Sequence, residues 1–171
     1  MNILPNNFGI ILEGSDQQGK TIFAQKLSII LNRKYIHYDK PDILVDYYYE
    51  YTRFLKRFER YIFDRNYLSE IVYGNLFRKQ SGITKEIQEK IEKEYNEQNY
   101  IFVLCNRKDF SITSIEDREE LYTKKQILLV KDTFLKYYET VSLPKIIVDP
   151  FENNKAIMEV INKCIEVSCN G

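Results

Sequence analysis

Glu13-Gly14-Ser15-Asp16-Gln17-Gln18-Gly19-Lys20-Thr21 is the stretch that decides the fold. Two glycines bracket four residues and Lys-Thr follows, the pattern G-x-x-x-x-G-K-[ST]. Ahead of it, Phe8–Glu13 is an apolar run that predicts a buried strand. Behind it, Phe23, Leu27, Ile30 and Leu31 recur at helical spacing. Between a strand and a helix, successive backbone N–H groups can point inward as an anion nest, and the helix N-terminus adds partial positive charge. Gly14, Ser15, Gln17, Gln18, Gly19, Lys20 and Thr21 are therefore the expected phosphate-binding residues of ATP. Lys20 is expected to reach the β- and γ-phosphates, and Thr21 to offer its hydroxyl to Mg²⁺. The alternative is an ordinary strand-to-helix turn, against which the flanks and the Lys-Thr pair speak.

Asp16 is the anomaly of this loop. A carboxylate beside a polyphosphate is repelled, by about 4 kcal/mol for two charges 4 Å apart at an effective dielectric of 20. It is expected to turn away from the nucleotide, toward a second substrate or a water on Mg²⁺. A solvated turn acid is the alternative.

Outward from the loop, short apolar runs alternate with amphipathic stretches. Strands are predicted at Lys34–Tyr38, Tyr61–Phe63, Tyr100–Cys105 and Lys145–Asp149. Helices are predicted from Ile43 to Phe58, at Leu68–Lys79 and Lys85–Asn96, from Glu119 to about Glu139, and around Ala156–Cys164. Strands alternating with helices imply a three-layer α/β/α fold with a five-stranded parallel sheet. In such sheets ligands sit at the carboxyl ends of strands. That singles out Glu13–Thr21, Asp39, Asp64 and Arg65, the segment Asn106–Arg118, and Asp149.

The rest of the composition sets limits. The 171 residues are enough for a single domain, 1–171. Net charge is zero, which argues against a stable nucleic-acid partner. No apolar run reaches the roughly 18 residues of a membrane span. The start MNILPNNFGI lacks the regions of a signal peptide, so a cytoplasmic location is expected, the host cytoplasm if the source is viral. Cys105, Cys164 and Cys169 form no close metal-ligand pattern and read as reduced thiols. His37, the sole histidine, reads as structural.

Asp64-Arg65 follows the third strand, which is expected beside the first. Arg65 could clamp a phosphate bidentately, and Asp64 could organise Mg²⁺ through water or take a proton. A structural pair capping the next helix is the alternative.

The loop EGSDQQGKT followed by FDRNYLSEIVYG resembles the thymidylate kinase family, with its Glu-Gly-x-Asp-x-x-Gly-Lys-Thr loop and its Asp-Arg-[Tyr/His] motif. The resemblance implies a P-loop kinase with ATP and Mg²⁺. It gives Asp16 a contact to the acceptor sugar's 3′-hydroxyl and Arg65 a contact to the acceptor phosphate. Related deoxynucleoside kinases usually lack the loop acid, so Asp16 favours a monophosphate acceptor. Glu116-Asp117-Arg118-Glu119 resembles the end of that family's lid, here about 106–118. With no Arg inside the loop, Arg118 is the first choice for the catalytic cation, with Arg107 and Lys108 behind it; a plain helix start is the alternative. The stretch between Lys20 and Asp64 is short for the family, and Asp39-Lys40-Pro41 replaces the usual Arg-Glu-Pro. The acceptor region is compressed into one helix, about 42–58. There Tyr47, Tyr48, Tyr51 and Phe54 offer aromatic faces and Arg53 a donor, with at least two of the aromatics expected in the core. This compact form is similar to phage-encoded nucleotide kinases.

The leading expectation is transfer of the ATP γ-phosphoryl group to a deoxynucleoside monophosphate, dTMP giving dTDP. Lys20, Arg118, Arg65 and Asp16 would be catalytic, Thr21 and Asp64 the metal residues. A homodimer is compatible with the sequence. Three other readings stay open: a deoxynucleoside kinase, in which Asp39 or Asp64 would be the base; a polynucleotide 5′-kinase; and a nucleotide-binding regulator without turnover.

Overall fold

A computed structural model describes residues 8–39, 46–55, 59–111 and 122–169. Five strands form one parallel sheet: β1 (Gly9–Glu13), β2 (Lys34–His37), β3 (Tyr61–Asp64), β4 (Tyr100–Cys105) and β5 (Lys145–Val148), in the order β2-β3-β1-β4-β5. β1 is central, with Leu12 opposite Asp64 on β3 and Val103 on β4. The adjacency of β1 and β3 brings the ends of the two motif-bearing strands side by side.

Side chains alternate across the strands and divide the core in two. Ile11, Phe63, Phe102 and Leu104 face one layer, with α3 (Tyr67–Phe77), α4 (Lys85–Glu97) and α5 (Lys124–Tyr138) packed on it. Ile10, Leu12, Ile62 and Val103 face the other, covered by α1 (Lys20–Leu31) and α6 (Asn154–Cys169). Burial on both faces is why these strands read as unbroken apolar runs.

The structure corrects three expectations. Ile30 is 49% exposed, not core, because Phe23, Ala24, Leu27 and Leu31 form the buried stripe of α1. The long helix after the polar segment starts at Lys124 rather than Glu119. Thr123 and Gln126 form a reciprocal capping box there. The expected acceptor helix is shorter in its described part: α2 spans Tyr47–Thr52, with Asp46 accepting from the Tyr49 N–H as its cap. Residues 40–45 and 56–58 of that stretch lie outside the described residues, as do 112–121 of the lid segment.

Candidate active site

The loop Gly14–Gly19 leaves β1 and turns into α1. Gly14 has φ 142°, and a Cβ there would meet the Cys105 carbonyl oxygen at 2.5 Å. Only glycine fits so close to the neighbouring strand. Gln17 and Gly19 have φ of 60° and 75°, the left-handed conformation that anion-nest turns use. The helix ends differ in a telling way. Side-chain oxygens of Asp46, Asn66, Thr84 and Thr123 cap α2, α3, α4 and α5. No side chain caps α1 among the described residues, so its first N–H groups remain for an anion.

Lys20 is buried, and its Nζ donates to the Ser15 carbonyl at 2.5 Å, folding back over the loop. Burial, reinforced by the nearby Arg65 charge, holds its pKa below the ordinary lysine value. Gln18 is fully buried; its Oε1 accepts from the Arg107 N–H at 2.6 Å and ties the loop to the end of β4.

Asp64, at the end of β3, is buried beside the first turn of α1. Its Oδ2 accepts from Thr21 Oγ1 at 2.7 Å and from the Tyr35 hydroxyl at 2.9 Å, with His37 Nδ1 at 3.0 Å. Burial works against its ionisation, but the Thr21 hydroxyl and the Lys20 charge outweigh that and keep its pKa below the usual range. Its other oxygen, Oδ1, is buried without a hydrogen-bond partner among the described residues. An orphaned carboxylate oxygen next to the loop threonine suits a hard cation. Mg²⁺ on a nucleotide typically uses one or two protein oxygens, the rest coming from phosphates and water. The described residues hold no cluster of three or more His, Cys, Asp or Glu, so a cage built wholly from such groups is absent there.

Arg65 follows in the left-handed region, φ 68°, uncommon for a non-glycine residue. Its guanidinium pairs with Asp16 Oδ1, and Tyr73 on α3 donates to Asp16 Oδ2 at 2.9 Å. Asp16 thus turns to a protein cation. Burial works to raise its pKa, yet Arg65 and then Lys20 prevail and hold it below the ordinary carboxylate value.

Sequence reasoning counted Glu13 in the loop but gave it no role of its own. Its buried carboxylate accepts from the N–H groups of Asn66 and Ser69, at 2.9 and 3.1 Å, and from Ser69 Oγ at 2.5 Å. It thereby pins the start of α3, and with it Arg65, to the end of β1. Burial raises its pKa to about 7 against those bonds.

The acceptor-side candidates are spread out. Tyr51 is buried in the core against Tyr38, and Phe54 packs on Tyr38, Tyr61 and Phe63. Arg53 pairs with Glu50 and lies over the Phe54 ring. Tyr47 covers Gly82. Asp39 lies 3.6 Å from His37 Nε2, so the histidine bridges two acids at the sheet edge. On the other side of the loop, Arg107 pairs with Asp109 and stacks 4.4 Å from the Phe151 ring centre, while Lys108 pairs with Glu152. Arg118 lies outside the described residues.

No protein-family model matches the sequence. No curated protein matches it. Solved structures do match the fold. The YorR protein of Bacillus subtilis, in complex with phosphorylated GDP, superposes with a TM-score of 0.77 at 20% identity, covering 95% of this chain and 98% of that one. Deoxyadenosine kinase from M. mycoides, with products dCMP and a flexible dCDP bound, gives 0.59 at 16% identity over 93% and 99% of the two chains. The same enzyme with dATP gives 0.55 at 18% identity, over 92% and 99%. With the five-stranded parallel sheet, these likenesses establish a P-loop NTPase-like α/β fold.

Proposed function

We propose that this chain is a P-loop kinase that transfers the γ-phosphoryl group of ATP to a deoxynucleoside monophosphate, with dTMP the expected acceptor. The observation that carries the reading is a convergence of the two motifs. Thr21 meets Asp64 across 43 residues, and Asp16 meets Arg65 across 49, on one edge of the sheet. A loop that only held a nucleotide would not need the second meeting, which supports reading that edge as the acceptor end of the site. The fold likeness to a deoxyadenosine kinase supports the general chemistry.

In this reading the loop N–H groups and Lys20 hold the donor phosphates. Thr21 Oγ1 and Asp64 Oδ1 are the protein oxygens for Mg²⁺, which when bound supplies charge neutralisation on those phosphates. Asp16 holds the acceptor's sugar hydroxyl, and Arg65 shifts part of its charge from Asp16 to the acceptor phosphate. Phosphoryl transfer leaves little covalent work for side chains, so alignment and charge carry most of the rate. A cation at Arg118 completes the set; Arg118→Ala should lower kcat with little change in ATP affinity. A cytoplasmic location belongs to the same proposal.

A second reading, phosphorylation of a deoxynucleoside 5′-hydroxyl, is favoured by one observation: Arg65 is already neutralised by Asp16. A coupled ATP-consumption assay over thymidine, dTMP, dUMP, dCMP and dAMP separates the two. Turnover on thymidine alone would overturn the monophosphate reading, and silence on every acceptor would overturn both.

A further inference from the structure

Tyr73 stands where three parts of the molecule meet. It lies on α3, two turns beyond Arg65, and its hydroxyl donates to Asp16 Oδ2 at 2.9 Å. The Arg65 guanidinium lies over its ring, 5.5 Å from the centre. On its other side the ring packs against Tyr122 at 5.6 Å, and Tyr122 stacks on Phe77, the last residue of α3, at 4.5 Å. Tyr122 is the residue before Thr123, the cap of α5. Burial, followed by the Asp16 charge, pushes the Tyr73 phenol well above its ordinary pKa, so it remains a donor.

The arrangement is more specific than core packing requires. Phenylalanine would fill the same space against Tyr122 and Phe77. The hydroxyl adds one bond, and that bond goes to the acid whose charge the loop has to keep off the nucleotide. Arg65 alone can pair with Asp16 in several geometries, because both side chains turn about flexible bonds. A second, neutral donor on Oδ2 fixes the plane of the carboxylate. Because the donor's ring itself packs at a tilt against Tyr122, the carboxylate is aligned relative to the start of α5.

We propose that Tyr73 is a positioning residue for the acceptor end of the site: its hydroxyl orients Asp16, and its packing against Tyr122 sets where that hydroxyl stands. The inference rests on the kinase reading above. Tyr73→Phe keeps the ring and loses the bond. The KM for the acceptor should rise about tenfold, the scale of one hydrogen bond to a charged group, while the KM for ATP stays within a factor of two. In an Asp16→Asn background the same change should have almost no further effect on acceptor KM, since both act through one contact. Tyr122→Ala, with the hydroxyl kept but its support removed, should raise acceptor KM less than Tyr73→Phe does, and Tyr122→Phe should restore the wild-type value.

A Tyr73→Phe protein with unchanged acceptor KM would overturn the inference. So would equal losses on ATP and acceptor, or effects of Tyr73→Phe and Asp16→Asn that simply multiply. A wild-type protein silent on every acceptor fails earlier and removes the kinase reading itself, a result told apart by needing no variant.

Discussion

Lys20 illustrates how little at the site is spare. It is buried, its charge is opposed by burial and by Arg65, and its ammonium reaches back to the Ser15 carbonyl. Such a cation is held by the loop's shape, and in the proposed kinase reading it serves the donor phosphates. Lys20→Ala should leave the fold intact, since the Phe23, Ala24 and Leu27 stripe anchors α1 independently. It should cut kcat by about 10²–10³, the scale of one preorganised charge contact. Turnover and the melting temperature measured on the same preparation check it; near-normal turnover in a folded variant would remove the phosphate-loop assignment. Asp64 is the companion case. Asp64→Asn keeps the shape but removes the charge beside Thr21, and it should raise the Mg²⁺ concentration needed for half-maximal rate. An unchanged Mg²⁺ requirement would take Asp64 out of the metal site.

At the scale of the element, the decisive pieces are turns and caps. Gly14 has no room for a side chain: φ is 142° and the clashing atom is a backbone oxygen of β4, which cannot swing aside. Gly14→Ala should cost about 1–3 kcal/mol from backbone strain alone, and it should weaken nucleotide binding as well, because the loop would be pushed off β4. Denaturant unfolding with and without ATP reads both parts. At the start of α5, Thr123 accepts from the Gln126 N–H at 3.3 Å while Gln126 Oε1 accepts from the Thr123 N–H at 2.8 Å. Thr123→Ala should cost about 1 kcal/mol and lower the melting temperature by about 2–4 °C. Both devices can be read in the sequence, the first as a motif and the second as Thr-x-x-Gln. The charged run Glu116–Glu120 also reads as a helix start and competes with the capping box in the sequence.

For the molecule as a whole, Glu13 links folding to the site. Burial raises its pKa from 4.5 to about 7. A carboxyl whose pKa is raised holds its proton more tightly folded than unfolded, so the folded state is favoured when it is protonated. That contribution is fully present below about pH 4.5 and is lost as pH rises through about 7. A shift of that size corresponds to at most about 3 kcal/mol. Glu13→Gln, whose amide can still accept from the Asn66 and Ser69 N–H groups and donate to Ser69 Oγ, should flatten this part of the stability curve between pH 5 and 8. Urea unfolding of both proteins across that range tests it, and parallel curves would show that the three donors already keep Glu13 ionised.

The sequence by itself determined the loop, the strand–helix alternation and the neighbourhood of β1 and β3. These follow from local pattern: period, glycine placement and motif spacing act over a few residues and leave their trace in the letters. It also marked Asp64 and Arg65, because residues just after parallel strands face the ligand edge. The tertiary structure decided what those residues do to one another. Arg65 takes up Asp16, Thr21 and His37 share one Asp64 oxygen, Glu13 fastens α3 to β1, and Tyr73 reaches Asp16 from 57 residues away. Two acids in a sequence look alike until burial raises one and a guanidinium lowers the other. Which of those happens depends on which side chains the sheet brings within a few ångströms, and that distance is written in the packing rather than in the order of residues.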